Sequence, residues 1–191
     1  MKYLDQFMVK RCAGDILNIV APLHQGAKEI SEAMAMREAM KGLFLDHKME
    51  LTLYDMCSGN ALVPLIAVFT LPVLYATASD VKVRERRWEL AQRFSYVERN
   101  VFDPGPTGDV VTGCHACDAL AQAIVQRYLE SAQHLYLMPC CVGDVQVPGL
   151  FSGKVSRYEW WAHELAEIAG GKAKRDTDIL SPCNVIVEAH K

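Results

Sequence analysis

The sequence has no strong excess of charge of either sign, because 20 Lys and Arg residues against 23 Asp and Glu give a formal net charge of −3 at pH 7. This excludes a strongly basic nucleic-acid-binding protein, although it does not exclude a local basic patch. Glycine and proline, at 12 and 8 of 191 residues, are not in excess, which excludes collagen-like and low-complexity chains. With 51% hydrophobic residues, the composition predicts a globular protein, and the length favours one domain over two.

The cysteines number seven, and an odd number does not suit a framework of paired disulfides. The chain opens with Met-Lys-Tyr-Leu-Asp, whereas a secretory signal would have a basic stretch followed by an apolar one. We therefore expect a cytoplasmic protein whose cysteines are free thiols.

One long run without charged residues, from Met56 to Ser79, has the length of a transmembrane helix. However, Pro72 would interrupt such a helix, and aspartates bracket the run without the Lys or Arg asymmetry that is typical of membrane segments. The run instead predicts a buried helix over about 61–69 followed by a buried strand over about 73–78. No association with a membrane is expected.

Strands and helices alternate from residue 51 to the end of the sequence. The hydrophobic pattern predicts further strands at about 51–55, 96–102, 109–113, 134–138 and 184–189, and further helices at about 83–94, 117–129 and 158–168. Such alternation is typical of βαβ units with right-handed crossovers. The predicted fold class is therefore α/β, with a mostly parallel sheet and helices on both faces.

Two helices are predicted before this alternation begins. The first covers residues 1–20 and is ended by Pro22, and the second covers residues 26–45. We predict that residues 1–48 form an N-terminal helical extension that packs on the sheet or covers its ligand-binding edge. Residues 49–191 would then form the sheet domain.

Polar residues and glycine collect directly after the predicted strands. The segments are Asp55-Met-Cys-Ser-Gly-Asn60, Ser79-Asp80, Asn100-Val-Phe-Asp103, Cys114-His-Ala-Cys-Asp118 and Pro139-Cys-Cys141. Ligands of open parallel sheets bind at the carboxyl ends of the strands, where these segments lie. Gly59 would let the backbone come close to a ligand, and Asp80, about twenty residues later, could accept both hydroxyls of a ribose.

Two common phosphate-binding motifs are missing, since the chain contains neither Gly-x-Gly-x-x-Gly nor Gly-Lys-Ser or Gly-Lys-Thr. Binding of NAD or ATP through such loops is therefore not expected. Leu53-Tyr-Asp-Met-Cys-Ser-Gly-Asn-Ala-Leu62 instead resembles the first motif of class I, Rossmann-like S-adenosylmethionine-dependent methyltransferases. Asp80 is similar to the acidic end of their second strand, and Asn100-Val-Phe-Asp103 is similar to their adenine-side motif.

This resemblance spans about residues 50–191 and implies a Rossmann-like fold, methyl transfer as the activity and S-adenosyl-L-methionine as the cofactor. The residues that it would assign to cofactor binding are Asp55, Cys57, Ser58, Gly59, Asn60, Asp80, Val81, Asn100, Val101 and Cys114.

A narrower resemblance involves Asp109-Val-Val-Thr-Gly-Cys-His-Ala-Cys-Asp-Ala-Leu120 and Tyr136-Leu-Met-Pro-Cys-Cys141. It is to a methyltransferase subgroup with His-Ala-Cys-Gly or His-Leu-Cys-Gly and a later Pro-Cys-Cys, found in eukaryotic methyltransferase-like proteins and a tRNA 2′-O-methyltransferase family. Ala61 stands in place of the second glycine of the first motif, and Asp118 in place of the glycine after His-Ala-Cys. The resemblance implies that His115 lies beside the methyl group, where a neutral imidazole could orient or deprotonate the acceptor.

The cysteines leave a second class of function open. Cys114, Cys117, Cys140 and Cys141, with His115 nearby, could hold zinc tetrahedrally or act as a redox dithiol. The adjacent pair at the end of this set does not match the usual two-residue gap between zinc ligands, so no metal is predicted. A third hypothesis is a module that binds the cofactor without transferring a methyl group. The methyl acceptor stays open between RNA, protein and a small molecule.

Overall fold

The computed structural model describes residues 2–105, 107–143 and 156–191. The described helices are α1 (Lys2–Met8), α2 (Ala13–Val20), α3 (Gly26–Asp46), α4 (Leu62–Thr70), α5 (Ala119–Ser131) and α6 (Arg157–Ile168). The described strands are β1 (Thr52–Met56), β2 (Tyr75–Asp80), β3 (Phe94–Glu98), β4 (Val110–Ala116), β5 (His134–Pro139), β6 (Lys172–Arg175) and β7 (Val185–His190).

The strands form one sheet in the order β3-β2-β1-β4-β5-β7-β6. Strands β1 to β5 pair in parallel, whereas β7 is antiparallel to both β5 and β6. The strand order reverses at β1, which has β2 on one side and β4 on the other. The predicted α/β fold with a mostly parallel sheet is confirmed. Its topological switch point lies between the carboxyl ends of β1 and β4.

Helices cover both faces of the sheet. One cluster of buried side chains joins α1 to α4 to the sheet and includes Phe7, Phe44 and Leu65. A second cluster lies under α5 and α6 and includes Ile124 and Trp161. Because both faces are covered, strands β1, β4 and β5 are buried along most of their length, as expected at the centre of a mostly parallel sheet. The N-terminal helices share a core with the sheet, while the domain boundary at residue 48 stays a prediction.

The uncharged run over 56–79 forms the end of β1, helix α4 and strand β2, as predicted. Among the helices of the described residues, none is both long and apolar enough to cross a membrane.

The predicted helix over residues 83–94 is wrong, because this segment contains only a 3-10 turn at Trp88–Leu90. The backbone N–H of Arg87 donates to the carbonyl of Ile19 in α2 at 3.3 Å. The Trp88 ring also stacks on Tyr96 of β3, with the ring centroids 4.9 Å apart. The segment therefore forms its contacts with α2 and β3, and these contacts override its own helical pattern.

Three other elements differ from prediction. Residues 1–20 form two helices, because a turn in which Lys10 N–H donates to the Phe7 carbonyl at 2.9 Å separates α1 from α2. The strand predicted over 96–102 is β3, which begins at Phe94 and ends at Glu98. Strand β6 was not predicted, since its sequence Lys-Ala-Lys-Arg has little hydrophobic character.

Candidate active site

A cavity of about 280 Å³ opens at the carboxyl ends of β1 and β4. Its walls are the loop after β1, the start of α4, the end of β4 and one face of α3. This is the switch point of the sheet, where open α/β folds bind their ligands. The volume is close to the lower end of the range of about 300–1,000 Å³ that is typical of small-molecule sites.

Asp55 lies at the floor of this cavity, where the β1 strand ends. Its Oδ1 accepts a hydrogen bond of 2.6 Å from the hydroxyl of Thr112, which is its register partner on β4, and its Oδ2 accepts one from Ser58. Burial raises the pKa of the Asp55 carboxyl to about 6, although the two hydroxyl donors oppose this rise, and the nearby Asp80 charge adds to it. Asp55 is thus a buried acid that is held in a fixed orientation.

Alternate residues of the loop after β1 have left-handed backbone conformations. The φ angles are 57° at Cys57, 52° at Gly59 and 53° at Ala61. A side chain at Gly59 would point into open space, since a Cβ there would have no neighbour within 4 Å. The backbone at this glycine is therefore accessible to a ligand.

Two positions at which the resemblances would place glycine have a backbone conformation that suits glycine. Ala61 has a φ of 53°, and Asp118, after β4, has a φ of 50° with a ψ of −121°. Such conformations cost a non-glycine residue about 1–3 kcal/mol and persist where the surroundings fix them, often at functional sites.

Strands β2 and β3 hold the loop after β1 from one side. The Gly59 N–H donates to Asp80 Oδ2 at 3.0 Å, and the Tyr96 hydroxyl donates to the Gly59 carbonyl at 2.8 Å. The Ser58 N–H donates to the Ser79 carbonyl at 2.9 Å. The backbone N–H and carbonyl of Gly59 thus both have hydrogen-bond partners, and Asp80 is held beside the loop.

Helix α3 holds both cavity loops from the other side through two carboxylates three residues apart. Glu29 Oε2 accepts from the Asn60 amide at 2.7 Å, in the loop after β1. Glu32 Oε2 lies 2.6 Å from His115 Nε2, at the end of β4. Positions three apart lie on the same side of a helix, so the two contacts are made together. Helix α3 therefore forms one wall of the cavity.

Two thiols of the cavity are uncharged in this environment. Burial raises the pKa of Cys57 to about 12, and the nearby Asp80 and Asp55 add to the rise. Burial, with Glu32 and Asp55 nearby, raises the pKa of Cys114 well above its ordinary value. Because the thiolate is the nucleophilic form, neither cysteine is activated as a nucleophile.

The four cysteines of the proposed zinc or redox group do not form one set. Cys117 and Cys140 are joined in a disulfide, so the expectation of free thiols is wrong for this pair. Cys141 is exposed and lies next to it, with its Sγ 3.7 Å from that of Cys140. Cys114 instead groups with Glu32 and His115 on the cavity wall.

Most of the predicted site residues line the cavity, namely Asp55, Cys57, Ser58, Gly59, Asn60, Cys114 and His115. Asp80 contacts the cavity loop through Gly59. The structure does not bring the remaining three to the cavity wall. Val81 and Asn100 are exposed, and Val101 is buried in the cluster under α5 and α6.

The charged residues that other segments contribute to the cavity were not predicted from the sequence. Lys28, Glu29 and Glu32 come from α3, and Arg84 comes from the segment after β2. The only signal in the sequence was a series of charged residues at helical spacing within the Ala- and Met-rich α3. Tyr96, which binds the Gly59 carbonyl, gave no signal because it was assigned only to a strand.

No protein-family model matches the sequence, and no curated protein matches it significantly. Solved structures do match the fold. Magnesium protoporphyrin IX methyltransferase from Synechocystis, solved with bound SAH, superposes with a TM-score of 0.59 at 15% identity, over 93% of this chain and 91% of that chain. A Thermoplasma acidophilum protein gives 0.56 at 12% identity, over 100% of this chain and 96% of that chain. Mitomycin 7-O-methyltransferase gives 0.53 at 16% identity, over 99% of this chain and 60% of that chain. The chain thus shares the α/β, Rossmann-like fold of these structures.

Proposed function

We propose that the protein is an S-adenosylmethionine-dependent methyltransferase. The observation that carries this proposal is the arrangement at the switch point of the sheet. There the left-handed Gly59 loop after β1 is bonded to the carboxylate of Asp80 at the end of β2, and both adjoin a cavity that reaches the end of β4. The similarity in fold to two methyltransferases, one of them solved with SAH, supports the same function.

The side chains of the cavity fit this cofactor. Two buried oxygen atoms, Asn60 Oδ1 and Glu32 Oε1, have no hydrogen-bond partner, and both residues line the cavity. Such atoms would accept hydrogen bonds from the cofactor's ammonium group or attract its positive charge. Lys28 and Arg84 at the same cavity supply positive charge for its carboxylate. The space that a side chain at Gly59 would occupy is empty, which leaves room for the cofactor next to the backbone.

The residues would divide into two groups along the cofactor. Asp80 would accept the ribose hydroxyls, as a carboxylate at the end of β2 does in nucleoside-binding sheets of this kind. The loop from Cys57 to Asn60, with Asp55 and Cys114, would hold the amino-acid part. Val81, Asn100 and Val101 lie outside the cavity wall and would contact the adenosine only along the open edge beside Asp80. That part of the assignment stays a prediction.

Bound S-adenosylmethionine supplies an electrophilic methyl group and its own leaving group. The chain then has to align an acceptor with the methyl group and exclude water, and both tasks require positioned side chains more than reactive ones. His115 borders the cavity, and its Nε2 is hydrogen-bonded to the buried Glu32 carboxylate. With the Nε2 proton donated to Glu32, Nδ1 keeps a lone pair that can accept a proton from an acceptor hydroxyl or amine. The acceptor class stays open between RNA, protein and a small molecule.

Calorimetric titration of the full chain with S-adenosylmethionine tests the proposal. Asp80→Ala removes charge-assisted hydrogen bonds worth roughly 1.5–3 kcal/mol each, so we expect at least about tenfold weaker binding. Asp80→Asn keeps an acceptor for the Gly59 N–H. It therefore distinguishes the effect of losing the contact with the loop from the effect of losing the contact with the ribose. Asp15→Ala, at an exposed position on α2, is the matched control. Unchanged affinity in a folded Asp80→Ala protein would remove the ribose assignment, and absence of binding by the wild type would refute the function.

A redox function is the second candidate, because the Cys117–Cys140 disulfide lies next to the exposed thiol of Cys141. The test is whether the protein accelerates reduction of a small disulfide by dithiothreitol. If it does, Cys141→Ser should lower the rate. Cys12→Ser should leave the rate unchanged, because Cys12 is a free cysteine that packs against the cluster joining α1 to α4 to the sheet. Equal rates with and without the protein would exclude this function.

A further inference from the structure

We propose that Glu32, Cys114 and His115 form a binding site for Zn²⁺ on the wall of the cavity, with one coordination position open to the cavity. This site differs from the group of four cysteines with His115 that was considered from the sequence, because its third ligand comes from helix α3. It goes beyond methyl transfer and does not depend on it.

The geometry brings three different zinc-ligand atoms together. One carboxylate oxygen, one thiol sulfur and one imidazole nitrogen from these residues all lie within 4.8 Å of one another. Zinc binds oxygen and nitrogen at about 2.0–2.2 Å and sulfur at about 2.3 Å, which places ligand atoms of a tetrahedral site about 3.3–3.8 Å apart. His115 Nε2 and Glu32 Oε2, now 2.6 Å apart, would separate slightly to admit the ion. Small side-chain movements are sufficient.

An unpartnered buried atom points independently to a cation. Glu32 is 1% exposed, and its Oε1 is buried without a hydrogen-bond partner. Lys28 Nζ, one helical turn earlier, lies 3.9 Å from this oxygen and is therefore beyond hydrogen-bond distance. A divalent ion bound at Oε2 would neutralise the charge of this buried carboxylate, and this lowers the cost of leaving Oε1 without a partner.

The charge of the ligand set suits zinc. Glu32 supplies one negative charge, and Cys114 supplies a second when its thiol proton is displaced by the metal, so the pair neutralises Zn²⁺. The mixture of sulfur, nitrogen and oxygen favours zinc over Mg²⁺ or Ca²⁺, which prefer oxygen alone.

The second group of neighbouring ligand atoms is less suited to binding zinc. Cys117, Cys140 and Cys141 also have their sulfur atoms near one another, but the Cys117–Cys140 disulfide leaves one thiol among the three. In the part of the chain that the structure describes, the Glu32 group is the one with three ligands that are free to bind.

Three protein ligands and one open position are the pattern of catalytic zinc sites. Here the open position would face the cavity and take water or a soft anionic ligand such as a thiolate. The ion would replace the proton between His115 and Glu32. In the zinc-loaded protein His115 would therefore position an acceptor through the metal, instead of accepting its proton.

Zinc titration of the full chain tests the proposal, with the Cys117–Cys140 disulfide confirmed by mass spectrometry in each sample. We expect one Zn²⁺ per chain, and at least about hundredfold weaker binding in Glu32→Gln, Cys114→Ser and His115→Asn, since even outer residues of zinc sites alter affinity by about 10–100-fold. Glu29→Gln and Cys141→Ser are the matched controls and should keep the wild-type affinity. Co²⁺ in place of zinc should give a thiolate charge-transfer band that is lost in Cys114→Ser.

The proposal is overturned if the wild type does not bind zinc stoichiometrically, if the thiolate band survives in Cys114→Ser, or if Cys141→Ser abolishes binding. Glu32→Gln has nearly the same shape as the wild-type side chain. If Cys114→Ser fails to fold, the zinc affinity of Glu32→Gln therefore tests the proposal. Titrations of metal-free samples with S-adenosylmethionine keep the two proposals separate, because zinc affinity and cofactor affinity are then measured independently although both proposals use Glu32 and Cys114.

Discussion

The buried carboxyl of Asp55 predicts a specific dependence of stability on pH. Its side chain accepts hydrogen bonds from Thr112 and Ser58 and is almost inaccessible to water. Burial raises its pKa from 3.8 to about 6, with a further contribution from the Asp80 charge. Asp55→Asn keeps the shape of the side chain and removes its titration. The hydroxyls of Ser58 and Thr112 can donate or accept, so both can still pair with the amide.

The magnitude follows from the two pKa values. A rise from 3.8 to about 6 corresponds to about 3 kcal/mol, at about 1.4 kcal/mol per pKa unit. The folded protein binds this proton more tightly than the unfolded chain does. The stabilisation by the proton is therefore fully present below about pH 4 and is lost as the pH rises through about 6. Wild-type Asp55 carries the full cost of a buried charge at pH 7.

Urea denaturation of both proteins between pH 4 and pH 7, followed by circular dichroism, measures this effect. The free energy of unfolding of Asp55→Asn should rise by about 2.4 kcal/mol relative to the wild type over this interval, because at pH 4 the unfolded wild-type chain has already ionised in part and the rest of the effect develops up to pH 7. Groups that do not interact with Asp55 titrate equally in both proteins and cancel in the difference. Parallel curves for the two proteins would refute the reasoning, since they would mean that Asp55 ionises equally easily in the folded and unfolded chains.

Two further substitutions test the loops around the cavity. Tyr96→Phe removes the hydroxyl that binds the Gly59 carbonyl, so the free energy of unfolding should fall by about 1 kcal/mol. Tyr75→Phe, at an exposed ring, is its control, and equal effects of the two changes would contradict the assigned bond. Asp118→Gly relieves the strain of a φ of 50° and should raise the free energy of unfolding by about 1 kcal/mol. Asp118→Ala keeps the strain and should not raise it. A gain in Asp118→Ala as large as in Asp118→Gly would show that the side chain, and not the backbone, is responsible.

The sheet and the helices on its faces could be predicted because their hydrophobic patterns are set locally. Strands buried on both faces appear as short apolar runs, and α4 was recognised because Pro72 separates it from the next strand. The Arg-rich segment over 83–94 failed for the opposite reason. Its helical spacing was a local preference, but Trp88 and Arg87 bind β3 and α2, which lie far away in sequence.

The cavity could be predicted only for the segments that follow strands. The residues after β1 and β4 were placed correctly at one edge, because the carboxyl ends of parallel strands meet there. The contribution of α3 could not be predicted, since Glu32 and His115 are 83 residues apart and no periodicity shows which side of a helix will meet a sheet edge.

The disulfide shows the limit of counting cysteines. An odd number argues against a framework of pairs, but it does not exclude a single pair. The register of β4 and β5 opposes Ala116 to Pro139, and so the residues that follow them, Cys117 and Cys140, become neighbours with their Cα atoms 5.4 Å apart. This contact depends on strand pairing, which the spacing of cysteines along the sequence does not report.

The most direct test of the central claim is the crystal structure of the chain with SAH. The account predicts that the ribose hydroxyls contact Asp80, that the amino-acid part lies along the Gly59 loop, and that the sulfur faces the side of the cavity formed by His115. Crystals that show SAH elsewhere on the protein, or that remain without it at saturating concentration while the cavity is accessible to solvent, would contradict the claim that this cavity is a methyltransferase site.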